Sequence, residues 1–204
     1  MIIAIDGPAA SGKGTLGVRV AKQMGFHHLD TGLLYRAVAR QLLEHSKAPD
    51  DIVQAIQFAK KMPMMDLDDE ILGTPAIAEA ASKIAANSEI REALISRQRQ
   101  FADQEPGAVL VGRDIGSVIC PNADAKIYLT AHIEVRAKRR AYQLGVKDSG
   151  ERQKIRNGIM DRDARDMGRS VAPLRRAEGA RLLDTTDLDI EAAFRAAMAI
   201  VEGS

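Results

Sequence analysis

Gly7, Gly12 and Lys13 near the start of the chain fit the spacing G-x-x-x-x-G-K, with Pro8, Ala9, Ala10 and Ser11 between the glycines and Gly14 and Thr15 after the lysine. Glycines let the backbone fold tightly enough for successive N–H groups to converge on one anion. Ahead of the loop runs the apolar, β-branched stretch Ile2-Ile3-Ala4-Ile5, and behind it Leu16 to Lys22 reads as a helix. Strand, glycine-rich loop and helix form the context a phosphate-binding loop requires. The helix brings the positive end of its dipole, and Lys13 brings a mobile ammonium for the outer phosphates. The expected ligand is a nucleoside triphosphate. In the common form of the motif a Ser or Thr next to the lysine helps to hold Mg²⁺. Here Gly14 intervenes, so Thr15 is the candidate Mg²⁺ hydroxyl.

A second concentration of charge lies far along the chain. Residues 131–169 carry eleven Lys or Arg against six Asp or Glu, a local excess of five positive charges in a chain of net charge +1. If Asp161 to Arg169 is helical, Arg162, Arg165 and Arg169 share one face, and Arg162 can pair with Asp166. Arg165 and Arg169 would then form a like-charge pair one turn apart. Such a segment is either a solvated, salt-bridged helix or a cationic lid, of about residues 145–169, that closes over bound phosphates. The loop at the other end of the chain favours the lid, because planar guanidinium groups suit bidentate contact with phosphoryl oxygens.

The elements that must carry these residues alternate. Gly25 reads as a helix stop, Phe26 to Asp30 as a second strand, and Leu33 to Glu44 as a helix behind Thr31-Gly32. Residues 47–106 read as mostly helical, with a turn at Ala48-Pro49-Asp50-Asp51, a break at Met62 to Met65, a solvated acidic run from Asp66 to Glu70, and helices over 76–86 and 89–103. Further strands are expected at 108–111, 125–130 and 181–184, and a closing helix over about 190–201. Strands separated by helices, with no hairpin signal, predict a parallel five-stranded sheet flanked by helices on both faces, an α/β fold. Ligands gather beyond the C-terminal ends of such strands. Asp6, Asp30-Thr31, Gly112-Arg113-Asp114 and Thr130 all fall there. Adjacent His27 and His28 point to opposite sides of a strand and cannot chelate one metal together.

The 204 residues, 46% hydrophobic and 28% charged, suffice for one well-filled core. A single domain is expected: a core of 1–45, 104–131 and 170–204, a monophosphate-binding region of about 46–103, and the lid. The near-zero net charge and 3% aromatic content argue against a nucleic-acid polymer as partner. The single cysteine, Cys120, cannot form an internal disulfide and reads as a buried thiol. No apolar run approaches the roughly 20 residues of a membrane span, and no signal peptide is apparent. A cytoplasmic monomer acting on small-molecule nucleotides is the expectation.

Five blocks in order resemble the bacterial cytidylate kinases, within the P-loop nucleoside monophosphate kinase superfamily. They are Ile5 to Thr15, Leu29-Asp30-Thr31-Gly32-Leu33-Leu34-Tyr35-Arg36, Gly112 to Val118, the Arg162 to Arg169 run with Val171-Ala172-Pro173-Leu174, and Leu183-Asp184-Thr185. The G-K-G-T form of the loop is similar to that of small kinases acting on nucleoside monophosphates. The resemblance implies a three-layer P-loop kinase fold and phosphoryl transfer from ATP, with Mg²⁺, to CMP or dCMP. By motif position it places Gly7, Pro8, Ala9, Ala10, Ser11, Gly12, Lys13, Gly14 and Thr15 on ATP, and Arg36 and Arg113 on the acceptor's phosphate. It places Thr31, Ser82, Arg91, Asp114 and Arg169 on cytosine and Asp166 on the ribose. Arg162 joins the closing basic face, and Lys13, Arg113, Arg162 and Arg169 form the catalytic set.

Two departures from the family pattern stand out. The interval from Met62 to Pro75 is too short for the small β-rich insert usual in the monophosphate-binding region. Val111 also stands where a carboxylate beside Gly112-Arg113-Asp114 is expected, so another group must orient Arg113. Competing readings are a sibling kinase acting on adenylate, shikimate or dephospho-coenzyme A, or a nucleotide-dependent switch or binding module without turnover. DNA binding is weaker still, since Asp163 and Asp166 would repel a phosphate backbone.

Overall fold

The computed structural model describes residues 1–45, 47, 51–64, 67 and 69–204, without the side chains of Asp69 and Glu70. Five strands, β1 (Ile2–Asp6), β2 (His27–Asp30), β3 (Ala108–Gly112), β4 (Ala125–Thr130) and β5 (Arg181–Asp184), form one sheet in the order β2-β3-β1-β4-β5. Every pairing is parallel. This is the expected sheet, and its strand bounds agree with the sequence reading to within one residue. β1 is central and apolar on both faces, the pattern of a strand covered by helices on either side.

One face is closed by α1 (Lys13–Met24) and α9 (Ile190–Glu202), whose Leu16, Val20, Ala197 and Val201 pack on Ile3, Ile5, Val109 and Ile127. The other is closed by α2 (Thr31–Glu44), α3 (Ile52–Lys61), α5 (Pro75–Ile84) and α6 (Ser88–Ala102), through Leu34, Val38, Leu42, Ile84 and Leu94. Leu34 and Leu94 are fully buried, each worth about 1.5–3 kcal/mol of transfer free energy. A short α4 (Asp69–Leu72) precedes α5. Among the described residues every element between β2 and β3 is a helix, so the β-rich insert of the family pattern has no counterpart there. The expected turn at residues 48–50, and the acidic run at 66 and 68, lie outside the described residues. Cys120 is buried, and its thiol is pushed up to about 11 by burial. No described helix is long and apolar enough to cross a membrane.

α2 begins two residues earlier than expected because Asp30 caps it, its Oδ1 accepting from the Gly32 N–H at 2.8 Å. α7 (Ile133–Gln143) and α8 (Ser149–Gly168) form an arm beyond the C-terminal strand ends. α8 stops at Gly168, and Arg169 is extended, with φ −60° and ψ 137°. The expectation of one helical face shared by Arg162, Arg165 and Arg169 is therefore corrected. Leaving the helix lets Arg169 turn back to Asp166 instead of facing Arg165 across one turn.

Where α1 crosses the sheet, a Cβ on Gly17 would lie 2.4 Å from Val111 Cγ2 and 3.0 Å from His28 Nε2. That close approach leaves His28 Nε2 buried without a hydrogen-bond partner. Burial holds His28 below its usual range, Asp30 opposing only in part. A depressed imidazole pKa means the unfolded chain takes up the proton first, so stability falls as pH drops below the ordinary histidine value of about 6.5. Between pH 7.5 and 5, melting followed by circular dichroism is expected to show a smaller loss of Tm in His28→Phe than in the parent.

Candidate active site

Gly7 to Thr15 wrap the space above the end of β1. Gly7 adopts φ 152°, and a Cβ there would sit 1.9 Å from the Leu129 carbonyl oxygen, so only glycine fits between β1 and β4. Gly12 at φ 93° turns the loop into α1, and Ala10, at φ 57°, holds a left-handed conformation unusual for a residue with a side chain. Lys13 is buried and curls back, its Nζ donating to the Pro8 carbonyl at 2.7 Å and to Ser11 Oγ at 3.3 Å. Burial first, then the nearby Arg113, pull its pKa well below the usual lysine range. Thr15 is exposed in the first turn of α1, and the Asp30 carboxylate lies close to Gly14, 3.4 Å from where a Cβ there would stand.

Beside the loop lies a cleft lined by Thr31, Tyr35, Ser82, Arg91, Gly112, Arg113, Asp114, Arg162, Asp166 and Arg169 among others. Eight of these residues are candidates from the sequence, drawn together from α2, α5, α6, the segment after β3, and α8. Arg36 is not among the lining residues. It donates to the Leu72 carbonyl at 3.4 Å, and its charge still bears on Arg162.

Four guanidinium groups share two carboxylates in this cleft. Asp166 has no exposed surface, and accepts from Arg113 Nε at 2.9 Å and from Arg169 Nη2, with Arg162 Nε 3.9 Å away. Burial alone would raise the Asp166 pKa, but Arg113, Arg169 and Arg162 outweigh it and hold the carboxyl below its usual range. Asp166 is thus the group that orients Arg113 where Val111 offers none. Arg91 pairs with Asp114 in full burial. Positive charge remains in excess: Nε of Arg91, Arg162 and Arg169 are buried donors without acceptors. Burial and the neighbouring Arg113 push Arg162 down to about 9. Buried donors without partners cost free energy, which an oxygen-rich anion would recover.

The sequence places Asp6 at a strand end but not the tie it makes to the turn after β3. Asp6 ends β1, is buried, and accepts from the N–H groups of Ile115 and Gly116, each at 2.8 Å. That holds the π-helical turn Ile115–Ile119, and with it Arg113 and Asp114, against the phosphate loop. A charged residue closing an apolar strand was the available signal. Thr31 Oγ1 donates to the Val111 carbonyl at 2.9 Å, and Ser82 Oγ accepts from Arg165 Nε at 3.3 Å. Arg140 reaches the Gly73 carbonyl at 2.7 Å, so the α7–α8 arm touches the α4–α5 region at two points.

The two kinds of arginine respond oppositely to removal. Arg91→Met strands the buried Asp114 charge and is expected to destabilise the chain by about 3–5 kcal/mol. Arg162→Met relieves crowding among like charges, so the nucleotide-free unfolding free energy is expected to stay level or rise. Urea unfolding of both variants without nucleotide checks this pair of outcomes.

The sequence comparisons agree with one another. The family model described as Cytidylate kinase matches residues 3–202. A cytidylate kinase of Methylocella silvestris is 53% identical, covering 100% of this chain and 95% of that protein. Those of Rhizobium meliloti and Rhodopseudomonas palustris are 51% and 52% identical over 100% and 99% of this chain, and over 96% of each relative. The crystal structure of an uncharacterized protein from Eubacterium ventriosum shares the fold, with a TM-score of 0.58 at 14% identity over 100% of this chain and 99% of that one. With phosphate loop, arginine cleft and full-length relatives in accord, the chain belongs to the cytidylate kinase family.

Proposed function

We propose that this chain transfers the γ-phosphate of ATP to CMP or dCMP, giving ADP and CDP or dCDP. The observation that carries the reading is the cleft beside the phosphate loop, where four arginines share two carboxylates and three buried guanidinium Nε donors lack acceptors. A second phosphorylated substrate satisfies that charge, whereas a switch or binding module has no need of it.

On this reading the triphosphate lies along Gly7 to Thr15, and Lys13 leaves the Pro8 carbonyl for the β- and γ-phosphates. Thr15, with the Asp30 carboxylate near Gly14, would hold Mg²⁺ directly or through water. Among the described residues no group of three His, Cys, Asp or Glu forms a metal site by itself, which suits a metal carried in by the nucleotide. When bound, Mg²⁺ neutralises charge on the phosphate oxygens. Arg36 and Arg113 take the acceptor's phosphate. Thr31, Ser82, Arg91, Asp114 and Arg169 read cytosine, whose amino group suits a carboxylate and whose acceptors suit Arg and Ser. Asp166 meets the ribose once Arg113 and Arg169 turn to the substrate, and Arg162 covers the transferring phosphoryl group as the segment of about residues 145–169 closes as a lid. Catalysis is then positioning and charge neutralisation, with little demand for a strong base. The setting is the cytoplasm, with the enzyme acting as a monomer on free nucleotides.

A coupled ADP-release assay with ATP and Mg²⁺ across CMP, dCMP, UMP, AMP, GMP and shikimate tests the reading. Turnover confined to CMP and dCMP is expected. Turnover with another acceptor alone would move the chain to a sibling activity, and ATP binding without turnover would favour the binding module. In the same assay Lys13→Ala is expected to abolish turnover. Arg36→Ala and Arg169→Ala should each lose about 100-fold or more in kcat/KM for CMP, with circular dichroism unchanged. Unaltered kcat/KM in those variants would overturn their assignment.

A further inference from the structure

One buried ion pair outside the substrate cleft grips the phosphate loop by its backbone. Arg136 on α7 and Asp163 on α8 are both more than nine-tenths buried and pair at 2.5 Å. Asp163 Oδ1 accepts from the Ala9 N–H at 2.9 Å, while Arg136 Nη1 donates to the Ala9 carbonyl, also at 2.9 Å. Arg136 is braced in turn by its Nε, which donates to the Ala131 carbonyl at 2.9 Å just beyond β4. Ala9, Ala137 and Ile159, with Ile133 and Ile155, enclose the contact in a small apolar cluster.

Both polar groups of one loop residue are therefore held by one side-chain pair, whose members come from the two helices of the arm. We infer that Arg136 and Asp163 are positioning residues for ATP, a clamp that sets the aim of the phosphate-loop N–H groups. The inference rests on the reading of this loop as the ATP site. Neither residue touches substrate; they act through Ala9. The clamped residue directly precedes Ala10, whose φ of 57° a residue with a Cβ rarely keeps unless its neighbours enforce it. It directly follows Pro8, whose carbonyl holds Lys13. Releasing the Ala9 peptide frees Ala10 to relax to negative φ, which turns the following N–H groups away from a common point and shifts the resting place of Lys13. The pair carries no net charge, so its effect on ATP is geometric.

Arg136→Gln, Asp163→Asn and the double variant separate this from simple stabilisation. ATP affinity is measured by titration calorimetry without acceptor, KM for ATP and for CMP by the coupled assay, and Tm by calorimetry. Each single variant is expected to weaken ATP binding about tenfold or more, with KM for CMP changed less than twofold, and the double variant to be no worse than the poorer single one. Arg136→Lys keeps the charge but not the two-pronged reach, and is expected to weaken ATP binding to an intermediate degree. It also serves if the neutral variants do not fold. Variants that melt earlier yet bind ATP as the parent does would overturn the clamp, as would equal losses for both nucleotides. Because ATP binding is read without acceptor, a failure of the CMP reading leaves this result intact.

Discussion

Positive charge gathered in a buried place with too few counter-ions is the constraint around which this molecule is arranged. Guanidinium groups on α6, on the segment after β3 and on α8 converge beyond the strand ends, and Asp166, fully buried, serves Arg113 and Arg169 with Arg162 close by. Packing like charges together costs free energy in any medium less polar than water. The fold tolerates that cost because hydrophobic layers on both faces of the sheet hold the elements in place. The unmet donors are left poised to recover free energy from an oxygen-rich anion.

Sheet topology explains why the charges and the phosphate loop meet. β1 lies between β3 and β4, so the loop after β1 is flanked by Gly112-Arg113-Asp114 on one side and by the start of α7 on the other. Parallel strands deliver all these segments to one edge, where the N-termini of α1 and α2 also point. The tie between neighbours is polar and direct, since Asp6 at the end of β1 accepts two N–H bonds from the turn after β3. Small residues allow the closeness: a Cβ on Gly112 would meet Thr31 Oγ1 and Ile115 Cδ1 at 2.7 Å.

Val111 offers Arg113 no counter-charge, and the carboxylate that orients Arg113 comes from α8, far away in sequence. Orientation of Arg113 is thereby linked to the seating of the α7–α8 arm, which also grips Ala9. Among the described residues the cleft is walled on the side between β2 and β3 by helices alone. Contact across the cleft there falls to Arg140 on Gly73 and Arg165 on Ser82.

The sheet, its flanking helices and the phosphate loop were legible in the chain itself because their signals are local. β-branched runs, a glycine spacing and Gly25 as a helix stop each act within a few residues. The roles of the candidate residues toward the acceptor were legible only through resemblance, and nothing local pairs Arg91 with Asp114 or gathers eight of the candidates in one cleft. The end of α8 was misjudged because Arg169 gains more from Asp166, three residues back, than from another helical turn. By itself the sequence determined the elements and their alternation, since backbone propensity and hydrophobic period are properties of short stretches. Only the tertiary structure decided which arginine faces which carboxylate, because those pairings join residues as far apart as Arg113 and Asp166 and depend on burial no single stretch can supply.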